Sequence, residues 1–201
     1  YDAYTSALNS LILHHQTDYK CPAMSDCPYT GKTLLEKREL PLLFAHKRLL
    51  TEMSELQKSP PVGVSGSPRV DDILTWDCVI FGLMDTVMEF GTFELTLTFP
   101  PDYPFQPPTV KFLSEMFHPN ISADGRVPLT NWSPAHDVTK ILTDIQSLLS
   151  QPHLDSPVNQ EAAQLYREDR GEYEKRVSLI IEHIRDNSET EEEDSETGED
   201  S

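Results

Sequence analysis

The chain has 201 residues and a formal net charge of −18, from 16 Lys and Arg against 34 Asp and Glu. That length holds one ordinary domain, or one domain with appendages, and the charge disfavours free-standing nucleic-acid binding through phosphates and docking on anionic membranes. No apolar run reaches the ~18 residues of a membrane helix and no signal peptide is visible, while three cysteines, an odd number, fit a reducing nuclear or cytoplasmic setting better than a disulfide scaffold.

Residues 1–44 read as an irregular N-terminal extension. They have no sustained period, and Pro22, Pro28 and Pro41 interrupt any helix. The first residue is Tyr1 rather than Met, so the expectation is a true N-terminus upstream, or a start at Met24. His14, His15, Cys21 and Cys27 do not have the pair spacing of a structural zinc site, and no metal or cofactor is expected. Gly31-Lys32-Thr33 is only half of a phosphate loop, with Asp26 standing where the upstream Gly belongs.

Residues 45–185 read as the packed domain. Leu49, Leu50, Met53 and Leu56 fall at helical spacing, and Pro60-Pro61 stops that helix. Residues 74–81 (LTWDCVIF) form a strand. In 92–99 (TFELTLTF) Phe93, Leu95, Leu97 and Phe99 alternate with Thr and Glu, the pattern of a half-buried strand. PPDYPFQPP (100–108) is a proline-stiffened loop carrying Phe105, and 109–113 (TVKFL) is another short strand. Ile141, Ile145, Leu148 and Leu149 mark a helix with one apolar face. Residues 159–185 give one or two more helices, with Gly171 as the break. The order predicts an α+β fold: an antiparallel meander of about four strands, an N-terminal helix and C-terminal helices. Residues 186–201 hold nine acids and no bases, and read as a disordered acidic tail that is either solubilising or a contact for basic partners such as histone tails. Ser188, Thr190 and Ser195 there are candidate sites for an acid-directed kinase.

The strings WDCVIFG (76–82), FGTFELTLTFPPDYPFQPPTVKF (90–112), His118-Pro119-Asn120, ADG (123–125), WSP (132–134) and AAQLYREDRGEYEKRV (162–177) resemble the ubiquitin-conjugating enzymes. PPVGVSG (60–66) and the helices at 141–177 are most similar to the subgroup acting in DNA repair and histone ubiquitination. The resemblance implies the ubiquitin-conjugating (UBC) fold. It also implies a family chemistry in which an activating enzyme hands ubiquitin's carboxyl to a cysteine as a thioester, which a substrate lysine then attacks. A thiol suits this because its thiolate is both nucleophile and leaving group. The Asn of His-Pro-Asn either stabilises the oxyanion or holds the loop that does.

In the family the cysteine lies eight residues after that Asn, within Gly-x-x-Cys-Leu. Here that count reaches Pro128, in Gly125-Arg126-Val127-Pro128-Leu129. Three residues instead of seven then precede Trp132, so four residues of the active-site segment are deleted. Proline cannot form an acyl intermediate. Cys78 is expected in a core strand, and no base is expected beside Thr130 or Ser133. Ser156, which matches a family position flanking the thioester, becomes a turn residue before Pro157.

No catalytic residue is therefore expected; His118, Pro119, Asn120 and Ser156 remain as motif remnants. The resemblance implies a ligase-binding surface of Lys47, Arg48, Phe105, Ser133, Pro134 and Ala135, with ubiquitin and the activating enzyme as further partners. The expected activity is a non-catalytic ligase- or ubiquitin-binding variant. Two alternatives stand beside it: an active enzyme whose cysteine-coding segment is missing between Asn120 and Trp132, and a degenerate copy without function.

Overall fold

The computed structural model describes the backbone of residues 33–196 and side chains from Pro41 to Asp186. Helix α1 spans Thr33–Lys58. Five strands follow: β1 Val64–Arg69, β2 Asp72–Phe81, β3 Thr92–Thr98, β4 Thr109–Phe112 and β5 Arg126–Val127. Helices α2 Val138–Ser150, α3 Gln160–Glu168 and α4 Arg170–Glu196 complete the described chain. All strand pairs are antiparallel, and spatial order equals sequence order from β1 to β5. The architecture is the α+β meander that the sequence predicts.

The core lies between one sheet face and the helices. Trp76, Cys78 and Ile80 of β2 point inward beside Leu95 and Leu97 of β3, while Asp77 and Glu94 face out. Helix α2 covers this face with Val138, Ile141, Leu142, Ile145 and Leu149, packed against β1 and β2. Helix α4 packs Tyr173, Val177 and Ile181 toward β3. Gln146 is buried on α2, and its amide donates to Phe81 O at 3.0 Å and Gly63 O at 3.2 Å. That ties α2 to the chain entering β1 and to the last residue of β2.

Strands β1 and β5 are additions to the sequence reading. VSGSPR lacks the bulky alternation of a strand, but an edge strand tolerates Gly and Pro, and the register shifts at Pro68/Arg69. β5 is two residues long, below any periodic signal.

At both ends the helices run further than expected. Helix α1 begins at Thr33 and contains Pro41, where an irregular segment to residue 44 was expected. Helix α4 continues into the acidic segment as far as Glu196, where disorder was expected. A helix nucleated by packed residues adds one hydrogen bond per further residue, and Glu is a good helix former. The compact unit that carries the sheet begins at Arg38. His14, His15, Cys21, Cys27, Gly31 and Lys32 lie outside the described residues, as do the side chains of Ser188, Thr190 and Ser195.

The break between the last helices falls at Asp169, not at Gly171. Asp169 ends α3 with φ −140° and ψ 78°, and its carboxylate accepts the Glu172 N–H at 3.0 Å, capping α4. Gly171 lies within the first turn of α4, and a Cβ there would meet only the Asp169 carboxylate, at 3.7 Å. Gly171→Ala is expected to raise stability by about 0.5–1 kcal/mol, read as a higher midpoint in urea with an unchanged slope.

Candidate functional site

His118-Pro119-Asn120 is a buried clamp. His118 is fully buried, and its Nδ1 accepts the Asn120 N–H at 3.1 Å. That places the ring proton on Nε2, which donates to Leu148 O at 3.1 Å. Burial pushes the His118 pKa down to about 4, against the pull of the Leu148 carbonyl. A neutral imidazole with both nitrogens engaged positions the segment and cannot act as a base.

Asn120 uses both ends of its amide on one residue. Nδ2 donates to His153 O at 2.7 Å, and Oδ1 accepts the His153 N–H at 2.8 Å. Pro119 O accepts the N–H groups of Val158 and Asn159 at 2.9 and 3.0 Å. The tripeptide therefore holds the loop 151–159, and Asn159 then caps α3 by accepting the Ala162 N–H at 3.1 Å. Of the two roles open to Asn120, these bonds serve the second, holding the loop. Ser156 is exposed on this loop.

Position 128 is set by the turn before it. Gly125 has φ +84°, and a Cβ there would lie 2.4 Å from Phe112 O, so only glycine fits. Its carbonyl accepts the Phe112 N–H at 2.9 Å, leading into the β4–β5 pairing. Pro128 follows β5 and is exposed, and Leu129 dips back against the core. A cavity of about 320 Å³ opens beside Pro128, lined among others by Trp132, Ile145, Leu148 and His153.

Cys78 is 3% exposed, with Sγ against Gly66 so closely that a Cβ there would sit 2.8 Å from it. Burial, with a smaller contribution from Asp77, pushes its thiol up to about 12. It has neither the access nor the ionisation of a nucleophile. Among the described residues no group of three or more His, Cys, Asp or Glu could hold a metal ion.

The three segments of the expected ligase surface come together around Glu52, which sequence reasoning missed. Ala45, Leu49, Glu52 and Leu56 form the buried stripe of α1, so a carboxylate occupies a core position. Glu52 accepts from Arg48 Nε, from the Tyr103 hydroxyl at 2.8 and 3.0 Å, and from the Val138 N–H at 3.1 Å. Burial pushes its pKa up, against the pull of Arg48 and Tyr103. The Trp132 indole donates to Pro104 O at 2.9 Å, and a chain of rings runs Trp76, Phe99, Tyr103, Trp132 and His136 with centroids 4.8–5.9 Å apart. The Tyr103–Pro104 peptide is cis. Phe105 stands 74% exposed on this framework. Lys47, Pro134 and Ala135 are exposed, and Ser133 is half-buried with its hydroxyl accepting the Ala135 N–H at 3.4 Å.

A five-stranded meander flanked by these helices, with a His-Pro-Asn clamp holding the loop beside the end of β5, defines a ubiquitin-conjugating domain. A sequence model of the family described as ubiquitin-conjugating enzyme matches residues 48–181, so the chain belongs to that family. It is 54% identical over 142 residues to ubiquitin-conjugating enzyme E2 1 of Caenorhabditis elegans, covering 69% of this chain and 74% of that protein. It is 51% identical over 142 residues to ubiquitin-conjugating enzyme E2 3 of Arabidopsis thaliana, covering 69% of this chain and 95% of that protein. Membership places the chain in the ubiquitination pathway, whose conjugating enzymes meet ubiquitin, an activating enzyme and ligases.

The His118 shift carries a pH consequence. Its folded pKa lies below the unfolded value near 6.5, so between those values the unfolded chain binds more protons. The contribution is full above about pH 6.5 and is lost as pH falls toward 4, on the order of 3 kcal/mol. Urea melts are expected to show stability falling from pH 7 to 5, with a shallower fall in His118→Gln.

Proposed function

We propose that this chain is a ubiquitin-conjugating-like module that occupies ligases, and ubiquitin, without forming the ubiquitin thioester. The observation that carries this reading is Pro128. By count from Asn120 it takes the cysteine's place, and it is an exposed residue with no nucleophile. Thioester formation requires a sulfur that can ionise and be reached. Cys78 meets neither condition. What remains available is the surface of Lys47, Phe105, Pro134 and Ala135. Its apolar centre is exposed on a stiff loop, which loses little entropy on docking.

Two finer readings rest on sequence. The DNA-repair and histone subgroup is supported by the resemblance at 60–66 and 141–177, and implies a nuclear or cytoplasmic setting. Contact with basic proteins is supported by the run of acids after Arg185, whose field favours cationic partners.

The chain incubated with activating enzyme, ATP and ubiquitin is expected to give no adduct that dithiothreitol removes. A reducible adduct would overturn the proposal. A transcript carrying Gly-x-x-Cys-Leu between codons 120 and 135 would replace it with the active-enzyme reading. A non-cooperative thermal melt would point to a degenerate copy.

For the binding surface, Phe105→Ala is expected to weaken a ligase-domain titration by about 1–3 kcal/mol while moving global stability by no more than about 0.5 kcal/mol, because the ring is exposed. Unchanged affinity would remove Phe105 from the interface.

A further inference from the structure

The two cations that helix α1 brings to the expected ligase surface are not equivalent. Lys47 is exposed. Arg48 is turned onto Glu52, with its side chain 36% exposed against 2% for Glu52. The same carboxylate holds Tyr103, two residues before Phe105, and the N–H of Val138, three residues after Ala135. One buried group thus bonds to α1, to the proline loop and to the first residue of α2, which follows the Trp-Ser-Pro segment.

The bond set leaves little freedom. Oε1 receives Arg48 and the Tyr103 hydroxyl, and Oε2 receives the Tyr103 hydroxyl and Val138 N–H. The Val138 N–H belongs to the first turn of α2, where helices have no internal acceptor, so Glu52 supplies one from another element. The Trp132 indole on Pro104 O straps the Trp-Ser-Pro segment to the proline loop at a second point. Replacing the carboxylate by an amide keeps volume and burial but turns one acceptor into a donor, facing either Arg48 or Val138.

We infer that Glu52 is the positioning residue of the ligase-binding surface, and that Arg48 acts on a partner through Glu52 while Lys47 meets it directly. This rests on the surface proposed above, and assigns its partner an apolar centre for Phe105 and an acidic group for Lys47.

The first arm of the test needs no partner. In the ¹⁵N-labelled full chain, Glu52→Gln and Arg48→Ala are expected to shift the Trp132 indole N–H and the Phe105 amide and to speed amide exchange at Val138. Lys47→Ala leaves all three in place. The Trp76 indole, bonded to Ile73 O at 2.8 Å in the core, is the internal control. Tyr103→Phe removes a single donor and is expected to shift the Phe105 amide even if Glu52→Gln fails to fold.

The second arm titrates isolated ubiquitin-ligase domains. Glu52→Gln is expected to weaken binding about five-fold or more, and adding Arg48→Ala to it costs nothing further, as for residues acting as one unit. Lys47→Ala and Glu52→Gln should multiply. Independent multiplication of the Arg48 and Glu52 effects, or unmoved Trp132 and Phe105 signals in the folded variants, overturns the inference. If the unmodified chain binds no ligase domain, it is the proposed function that fails, and the first arm still decides whether Glu52 sets the geometry.

Discussion

A single buried carboxylate ties together helix α1, the proline loop and the start of α2. Glu52 is buried at a core position of α1 and receives Arg48, Tyr103 and the backbone of Val138. A buried charge is tolerated only when its acceptor positions are filled, and breaking such a pair from one side costs about 3–5 kcal/mol. That penalty makes the arrangement all-or-nothing. Helix α1, the proline loop and the start of α2 must meet in one geometry for Glu52 to be satisfied.

The His-Pro-Asn segment is the second fixed point. Every bond it makes is structural. His118 joins it to α2 through Leu148 O, Asn120 closes a reciprocal pair with the His153 backbone, and Pro119 O holds Val158 and Asn159. These bonds are independent of residue 128. They account for a clamp that persists beside a proline: removing it would leave buried backbone groups unpaired, whereas the absence of a thiol at an exposed position leaves nothing unpaired. Fold and chemistry are separable at this site because they use different atoms.

The turn before Pro128 fits the same logic. Gly125 makes a turn that no other residue could make against Phe112, and Leu129 returns to the core. The cavity beside Pro128 is bounded by Trp132 on one side and by α2 on the other.

The sequence determined whatever is written in local pattern. The alternation of Phe93, Leu95, Leu97 and Phe99 and the apolar stripe of α2 are legible along the chain because their periods follow from backbone geometry, and the motifs around His118-Pro119-Asn120 are legible as a family resemblance. Strand β1 was hidden by its Gly, Ser and Pro, since pairing with β2 rather than propensity makes it a strand. The Asp169 cap was visible in principle as Asp-x-x-Glu, and was masked by the stronger signal of Gly171. Helix ends were misjudged because Pro41 and the acidic run are local signals, whereas helix propagation starts from residues packed elsewhere. Only the tertiary structure decided the role of Glu52. A glutamate on a helix reads as solvated, and its burial becomes favourable only when Tyr103 and Val138, brought from two distant places in the chain, join Arg48 one helical turn away to fill its oxygens.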